Sequence, residues 1–155
     1  MFSIKIVRIS INIGILFLTI AAMEAFSWAI HKYLFHGPLW FIHKTHHQPK
    51  HSWFELNDIF SLLFAMIALW LMWLGHFNLD YRFWAGTGIS LYGIIYFIFH
   101  DWFIHSRLKS FKSNNRYLCG IRRAHKIHHK SMEKENAEEF GLLLASKKWF
   151  RRQSA

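Results

Sequence analysis

The chain has 155 residues, of which 53% are apolar and 19% are aromatic, and its formal net charge is +10. This length fits one domain, and we expect residues 1–155 to form a single domain. Cys119 is the only cysteine, which excludes an internal disulfide and a metal site built from several thiolates.

Three long apolar runs occur in chain order, over residues 9–30, 59–75 and 83–99. A helix needs about 20 apolar residues to cross a bilayer, with about 17 as the lower limit, so each run is long enough. The first run is too long for the apolar part of a signal peptide, and no small-residue cleavage site follows it. The sequence therefore predicts an all-α integral membrane protein with about three to four transmembrane helices.

Ten of the twelve histidines lie in four short clusters that form two matched pairs. An HxxxxH cluster followed by an HxxHH cluster comes after the first apolar run, and the same order recurs after the third. The clustered residues are His31, His36, His43, His46, His47, His100, His105, His125, His128 and His129. Neutral imidazole binds transition metals, and ten rings are too many for one ion. The pattern predicts a two-metal site, because a metal-buffering tract would be contiguous and would lack the interleaved large apolar residues.

The spacing within each cluster predicts how the rings are arranged. At about 100° per residue, the three histidines of each HxxHH cluster share one face of an α-helix. The two histidines of HxxxxH lie about 140° apart, so we expect the pair to straddle two ions or the helix to break between them.

Two carboxylates are candidates to orient the ligands. Glu24 lies seven residues before His31, on the same helix face, and Asp101 directly follows His100. Each could accept a hydrogen bond from the second ring nitrogen of a ligand, which fixes the tautomer of that ring. An equal alternative for Glu24 is a position near the membrane interface, where it reaches water or is protonated.

The positive charges lie on the segments that carry the histidines. Sixteen of the nineteen Lys and Arg residues fall within residues 31–57 and 100–155. Two apolar runs separate these segments, so both return to one side of the membrane, and the positive-inside rule places that side in the cytoplasm. We expect a site at the cytoplasmic face of the membrane (the cytoplasmic membrane, if the source is bacterial), a basic tail that contacts anionic lipids, and no nucleic-acid partner.

Two metal ions in an all-nitrogen environment at a membrane face favour oxidation of a lipophilic substrate. Hydrolytic two-metal sites usually contain bridging carboxylates, and few carboxylates lie near these clusters. Iron follows from this reaction class, because zinc has no redox chemistry. A membrane metal transporter is an alternative from another class, and it would need polar ligands within the spans rather than at their ends.

The order of the four clusters resembles the fatty-acid-hydroxylase superfamily of membrane non-haem di-iron enzymes, and within it the bacterial β-carotene hydroxylases. The residues that carry the resemblance are Glu24, residues 31–47, His100 with Asp101, residues 124–129 and residues 140–143. The resemblance implies hydroxylation at carbon 3 of a β-ionone ring, which converts β-carotene through cryptoxanthin to zeaxanthin.

The same resemblance implies the cofactors and partners. The ten clustered histidines would bind two iron ions, dioxygen would be consumed, and a ferredoxin or an NAD(P)H-linked reductase would supply electrons. Alternatives with the same machinery are a hydroxylase of another lipid, a fatty acid or a sterol, and a carotenoid ketolase.

Overall fold

A computed structural model of the chain describes residues 2–48, 54–109 and 112–151, so that His51 lies outside the described residues. Five α-helices occur in these ranges: α1 (Phe2–Ile30), α2 (Trp40–His47), α3 (Asp58–Gly75), α4 (Tyr81–Tyr96) and α5 (Arg116–His128). Two π-helical segments, His31–Phe35 and Phe97–Ile104, continue α1 and α4, and a 3-10 turn spans Lys147–Phe150. The predicted all-α class is confirmed.

Three helical stretches are long and apolar enough to cross a membrane: Ile6–Phe35, Asp58–Gly75 and Tyr81–Ile104. They contain the three apolar runs of the sequence. Many of their large apolar side chains are exposed, including Leu18 and Trp73. Exposed apolar surface of this extent suits lipid rather than water. The structure therefore agrees with an integral membrane protein that has three spanning helices.

One compact unit comprises Met1–Met23 and Ile59–Ile95, and so contains most of α1, α3 and α4. Two glycines of α4 allow close packing within it. A Cβ atom at Gly86 would lie 2.6 Å from the carbonyl oxygen of Ala68, and one at Gly88 would lie 2.8 Å from Cβ of Thr19. Small residues let helix backbones approach each other in a membrane. Gly93 differs, because a Cβ there would meet nothing within 4 Å.

The turn between α3 and α4 belongs to the same unit and is closed by polar contacts. The Asp80 carboxylate accepts a hydrogen bond from the backbone N–H of Arg82 at 2.9 Å and pairs with its guanidinium at 2.6 Å. The Asn12 amide donates to the carbonyl of Leu79 at 3.4 Å. This contact gives a polar partner to the asparagine that interrupts the first apolar run.

The second compact unit comprises Glu24–Asp58 and Tyr96–Ala155, and all ten clustered histidines lie in it. Asn115 caps α5, because its Oδ1 accepts from the backbone N–H groups of Tyr117 and Leu118 at 2.9 and 3.2 Å. The buried face of α5 carries Gly120, Ile121, Ala124, His125 and His128. The chain divides into two compact units, and the expectation that residues 1–155 form a single domain stays a prediction.

The close approach at Gly86 predicts the effect of a methyl group there. In Gly86→Ala the new Cβ would overlap the backbone of α3, and we expect a loss of about 1–3 kcal/mol from overpacking. Thermal unfolding of the detergent-solubilised protein measures this as a lower midpoint. Gly93→Ala is the matched control and should be neutral or slightly stabilising, because alanine favours helix over glycine. Equal midpoints for the two variants would contradict the packing at Gly86.

Candidate metal centre

The two HxxxxH clusters lie on π-helical turns, in which the backbone hydrogen bond joins residues five apart. The N–H of His36 donates to the carbonyl of His31 at 3.0 Å, and the N–H of His105 donates to that of His100 at 2.9 Å. The wider turn brings residues i and i+5 to one side of the helix. The expected break of the helix between the two histidines is wrong, because the helix widens instead, and the expectation that a pair straddles two ions stays a prediction.

The clustered histidines form two groups whose ring nitrogens converge. In each group, one nitrogen from every ring lies within 4.8 Å of the corresponding nitrogens of the other members. The five-histidine group consists of His31, His36, His43, His47 and His128, and the four-histidine group consists of His46, His100, His105 and His125. Each HxxxxH pair therefore stays within one group.

The HxxHH clusters, in contrast, supply both groups. On α2, His43 and His47 belong to the five-histidine group and His46 to the four-histidine group. At about 100° per residue, the second and third histidines of an HxxHH cluster lie on opposite sides of the first, so the triple fans across neighbouring sites. On α5, His125 and His128 are divided in the same way.

His129 lies between the two groups. Its ring centroid is 4.4 Å from that of His47 and 4.6 Å from those of His105 and His125. Its Nε2 is buried and has no hydrogen-bond partner among the described residues. A buried ring nitrogen without a partner costs free energy, which a metal ion would remove by accepting the lone pair. All ten histidines named from the sequence thus lie at one centre.

The Nδ1 atom of seven of these rings contacts an oxygen. The acceptors are Phe140 O for His31 (2.9 Å), Lys134 O for His36 (3.1 Å), Asn57 Oδ1 for His43 (3.1 Å), Glu55 Oε2 for His46 (2.6 Å), Ser131 O for His47 (2.9 Å), Asp101 Oδ1 for His100 (2.8 Å) and Glu138 O for His128 (2.8 Å). A carbonyl or carboxylate oxygen can only accept, so Nδ1 carries the proton. In a neutral ring, Nε2 is then left with a free lone pair.

These lone pairs face one another at short distance. Nε2 of His31 lies 3.0 Å from Nε2 of His43, and Nε2 of His46 lies 3.1 Å from Nε2 of His100. Two acceptors cannot form a hydrogen bond, so neutral rings in this arrangement repel unless a cation lies between them. Two nitrogens bound at right angles to one ion, each about 2.1 Å from it, lie about 3 Å apart. The donor set therefore fits two transition-metal ions.

The electrostatics keep the rings in the neutral form that binds metals. Burial first, and then the neighbouring imidazoles, lower the pKa of His43 and of His128 to about 3 and that of His47 to about 4. Burial followed by the neighbouring rings holds the pKa of His46 and of His125 well below the usual value. A histidine whose pKa is lowered in this way is unprotonated at pH 7, and its Nε2 lone pair is available.

The two carboxylates named from the sequence take different positions. Asp101 accepts from His100 Nδ1, which is the contact expected of it. Glu24 is buried, and its Oε1 accepts from the backbone N–H groups of residues 142, 143 and 144 at 3.1, 2.8 and 3.1 Å. The carboxylate thereby anchors the chain just after Phe140, whose carbonyl orients His31. A direct contact between Glu24 and a ligand ring stays a prediction.

Sequence reasoning missed three side chains at this centre. Glu55 and Asn57 orient His46 and His43, and Arg107 pairs with Glu55 at 3.1 Å. Glu55 and Asn57 lie outside the histidine clusters and follow no repeated spacing. The sequence offered one hint, which is residue type. Glu55 is one of only nine acidic residues in the chain, and it lies with Asn57 in the stretch between α2 and α3.

A pocket lies against both histidine groups. Its lining combines aromatic and small side chains with rings from each group: Ser27, His31, Phe35, His43, Asn57, Tyr96, His100, His125, Phe140, Gly141 and Leu142. Four of the lining residues are histidines of the two groups, and Phe35, Tyr96 and Phe140 add aromatic surface beside them. A molecule in this pocket would contact the rings of both groups.

The fold and the centre together define a helical membrane protein that carries a paired histidine site for metal ions. The family model described as "Fatty acid hydroxylase" matches residues 16–149. The chain belongs to the fatty acid hydroxylase family and is a hydroxylase, which confirms the resemblance found in the histidine motifs.

Three relatives illustrate the similarity. The chain is 36% identical to the beta-carotene hydroxylase of Pantoea ananas over 135 residues, which cover 86% of this chain and 77% of the relative. It is 32% identical to that of Paracoccus sp. (strain N81106 / MBIC 01143) over 136 residues, 86% of this chain and 84% of the relative. It is 38% identical to beta-carotene 3-hydroxylase 1, chloroplastic, of Arabidopsis thaliana over 125 residues, 77% of this chain and 39% of the plant protein. No solved structure matches the chain significantly.

The geometry predicts the effect of removing one ring. His128→Ala deletes the Nε2 that lies 3.2 Å from Nε2 of His36, and we expect the five-histidine group to lose its metal while the four-histidine group keeps its own. Elemental analysis of the purified protein measures the metal per chain. His76→Ala is the control, because this exposed ring contacts only nearby residues, the carbonyl of Trp73 and the ring of Phe77, among the contacts described. A His128→Ala protein with the metal content of the unmodified chain would contradict the ligand role.

Proposed function

We propose that this hydroxylase is a β-carotene 3-hydroxylase that uses two iron ions. It would hydroxylate carbon 3 of the β-ionone rings and give cryptoxanthin and then zeaxanthin. The observation that carries the proposal is the pair of converging imidazole groups beside one aromatic-lined pocket. The relatives described above, from bacteria and a plant, are named as hydroxylases of beta-carotene and support this substrate.

The reaction needs a co-reactant and electrons. Dioxygen supplies one oxygen atom to the C–H bond, and the other is reduced to water with two electrons and two protons. Iron bound by the histidines would supply the dioxygen activation that an unactivated C–H bond requires, and zinc cannot do so. A ferredoxin or an NAD(P)H-linked reductase is the electron donor in this proposal.

The residues of the chain have distinct parts in this scheme. The ten histidines hold the metals through Nε2, and their Nδ1 partners fix the orientation of the rings. Phe35, Tyr96 and Phe140 supply aromatic surface for an apolar ring next to the metals. We also propose that residues 1–155 form one hydroxylase domain, which the family match over residues 16–149 supports.

The pigment formed in a bacterial host that accumulates β-carotene tests the substrate. We expect the chain to convert β-carotene to cryptoxanthin and zeaxanthin under air and not under anaerobic conditions, when a suitable reductase is present. His128→Ala, expressed to the same level, should leave β-carotene unchanged. Chromatography of extracted pigments measures each product.

Two outcomes of this assay would contradict the carotenoid assignment. Unchanged β-carotene with verified membrane expression and reductase would favour another lipid as the substrate, either a sterol or a fatty acid, of which the description of the matched family names the fatty acid. Keto-carotenoids would identify a ketolase.

We further propose that the histidine groups lie on the cytoplasmic side of the membrane. The basic residues support this orientation, since thirteen of the nineteen Lys and Arg residues lie within residues 100–155. The basic surface would also attract anionic lipids and an acidic electron donor.

Reporter fusions test the orientation. Green fluorescent protein fused after residue 155 should fluoresce, because it folds in the cytoplasm, and alkaline phosphatase at the same place should be inactive. Fusions at the 76–80 turn should give the opposite results, since α4 then lacks its return crossing. An active phosphatase at the C-terminus would contradict the cytoplasmic position.

A further inference from the structure

The two histidine groups differ in the charge of the atoms that hold their rings. In the four-histidine group, His46 Nδ1 lies 2.6 Å from a Glu55 carboxylate oxygen, and His100 Nδ1 lies 2.8 Å from an Asp101 carboxylate oxygen. Both carboxylates are largely buried, with Glu55 8% and Asp101 12% exposed in their side chains. Solvent therefore screens these charges only weakly.

In the five-histidine group, every Nδ1 contact is with an uncharged oxygen. Four rings donate to backbone carbonyls, and the fifth, His43, donates to the amide oxygen of Asn57. A ring that donates to a carboxylate is a more basic ligand than one that donates to a neutral oxygen. The two groups therefore offer a metal ion ligands of different donor strength.

Arg107 joins the carboxylates of the four-histidine group. Its guanidinium lies 3.1 Å from Glu55, 3.7 Å from Asp101 and 2.9 Å from Asp58, and its side chain is only 16% exposed. The planar fork of an arginine can hold several carboxylates in fixed positions at once. Formally, three carboxylates and one guanidinium leave a net negative charge beside this group.

We propose that Arg107, Glu55 and Asp101 make the four-histidine group a distinct metal position, with stronger binding and a lower reduction potential than the five-histidine group. Glu55 and Asp101 act through His46 and His100, and Arg107 is a positioning residue that fixes both carboxylates. A nearby negative charge stabilises a cation, and it stabilises the ferric ion more than the ferrous ion. This inference rests on the two-iron site of the proposed function.

Iron binding to the full-length protein in detergent tests the inference without a turnover assay. Glu55→Gln and Asp101→Asn each keep an oxygen for the ring N–H and remove the charge. We expect the affinity of one of two positions for Fe(II), measured by anaerobic equilibrium dialysis, to fall about 10–100-fold. In Mössbauer spectra of ⁵⁷Fe-loaded protein, one of two subspectra should change and the other stay as it was.

Variants of Arg107 distinguish a positioning role of this side chain from a general effect on the stability of the protein. Arg107→Met should disturb the same subspectrum, and Arg107→Lys should restore it only in part, because a single ammonium cannot span the carboxylates. Asp80→Asn is the matched control, since it removes a carboxylate from an arginine pair in the turn between α3 and α4. It should leave both subspectra unchanged.

The outcomes are distinguishable. Two positions that weaken alike in Glu55→Gln and Asp101→Asn, or no change in either variant, would overturn this inference and leave the two-iron site standing. An unmodified chain that binds no iron would overturn the proposed function and the inference with it.

Discussion

The centre depends on one property of imidazole: a neutral ring has one lone pair for a metal and one N–H that needs an acceptor when it is buried. Four of the acceptors are backbone carbonyls of Lys134, Glu138, Phe140 and Ser131. All lie after α5, in a stretch without helix or strand. Carbonyls in such a stretch are not used by regular secondary structure, so they are free to orient histidines. The irregular segment is thus part of the centre.

Helix geometry decides which rings meet. The α-helical period fans an HxxHH cluster over neighbouring sites, so α2 and α5 each contribute to both groups. The π-helical period keeps an HxxxxH pair on one side, so His31 stays with His36 and His100 with His105. The two spacings therefore have different functions. The HxxHH spacing gives each of these helices a histidine in both groups, and the HxxxxH spacing adds a pair of histidines to one group.

The oxidation proposed for this family member needs both metal positions close to one substrate. The pocket provides this arrangement, because rings of both groups line it together with Phe35, Tyr96 and Phe140. Glu24 contributes to this lining by holding the backbone that follows Phe140. The same short segment, residues 140–144, therefore orients a ligand through one carbonyl and shapes the pocket through its side chains.

The sequence by itself determined the class of the protein and its ligands. Runs of apolar residues and repeated histidine spacings are local patterns, so the helices, the three spans, the ten histidines and the family could be predicted from them. The placing of both HxxxxH rings in one group could not, because it depends on a π-helical hydrogen bond that a spacing of five does not reveal. Only the tertiary structure decided which other groups belong to the centre. These are the side chains of Glu55, Asn57 and Arg107 and the backbone carbonyls within residues 131–140. Those contacts join residues that are from 9 to 109 positions apart, and no local period records them.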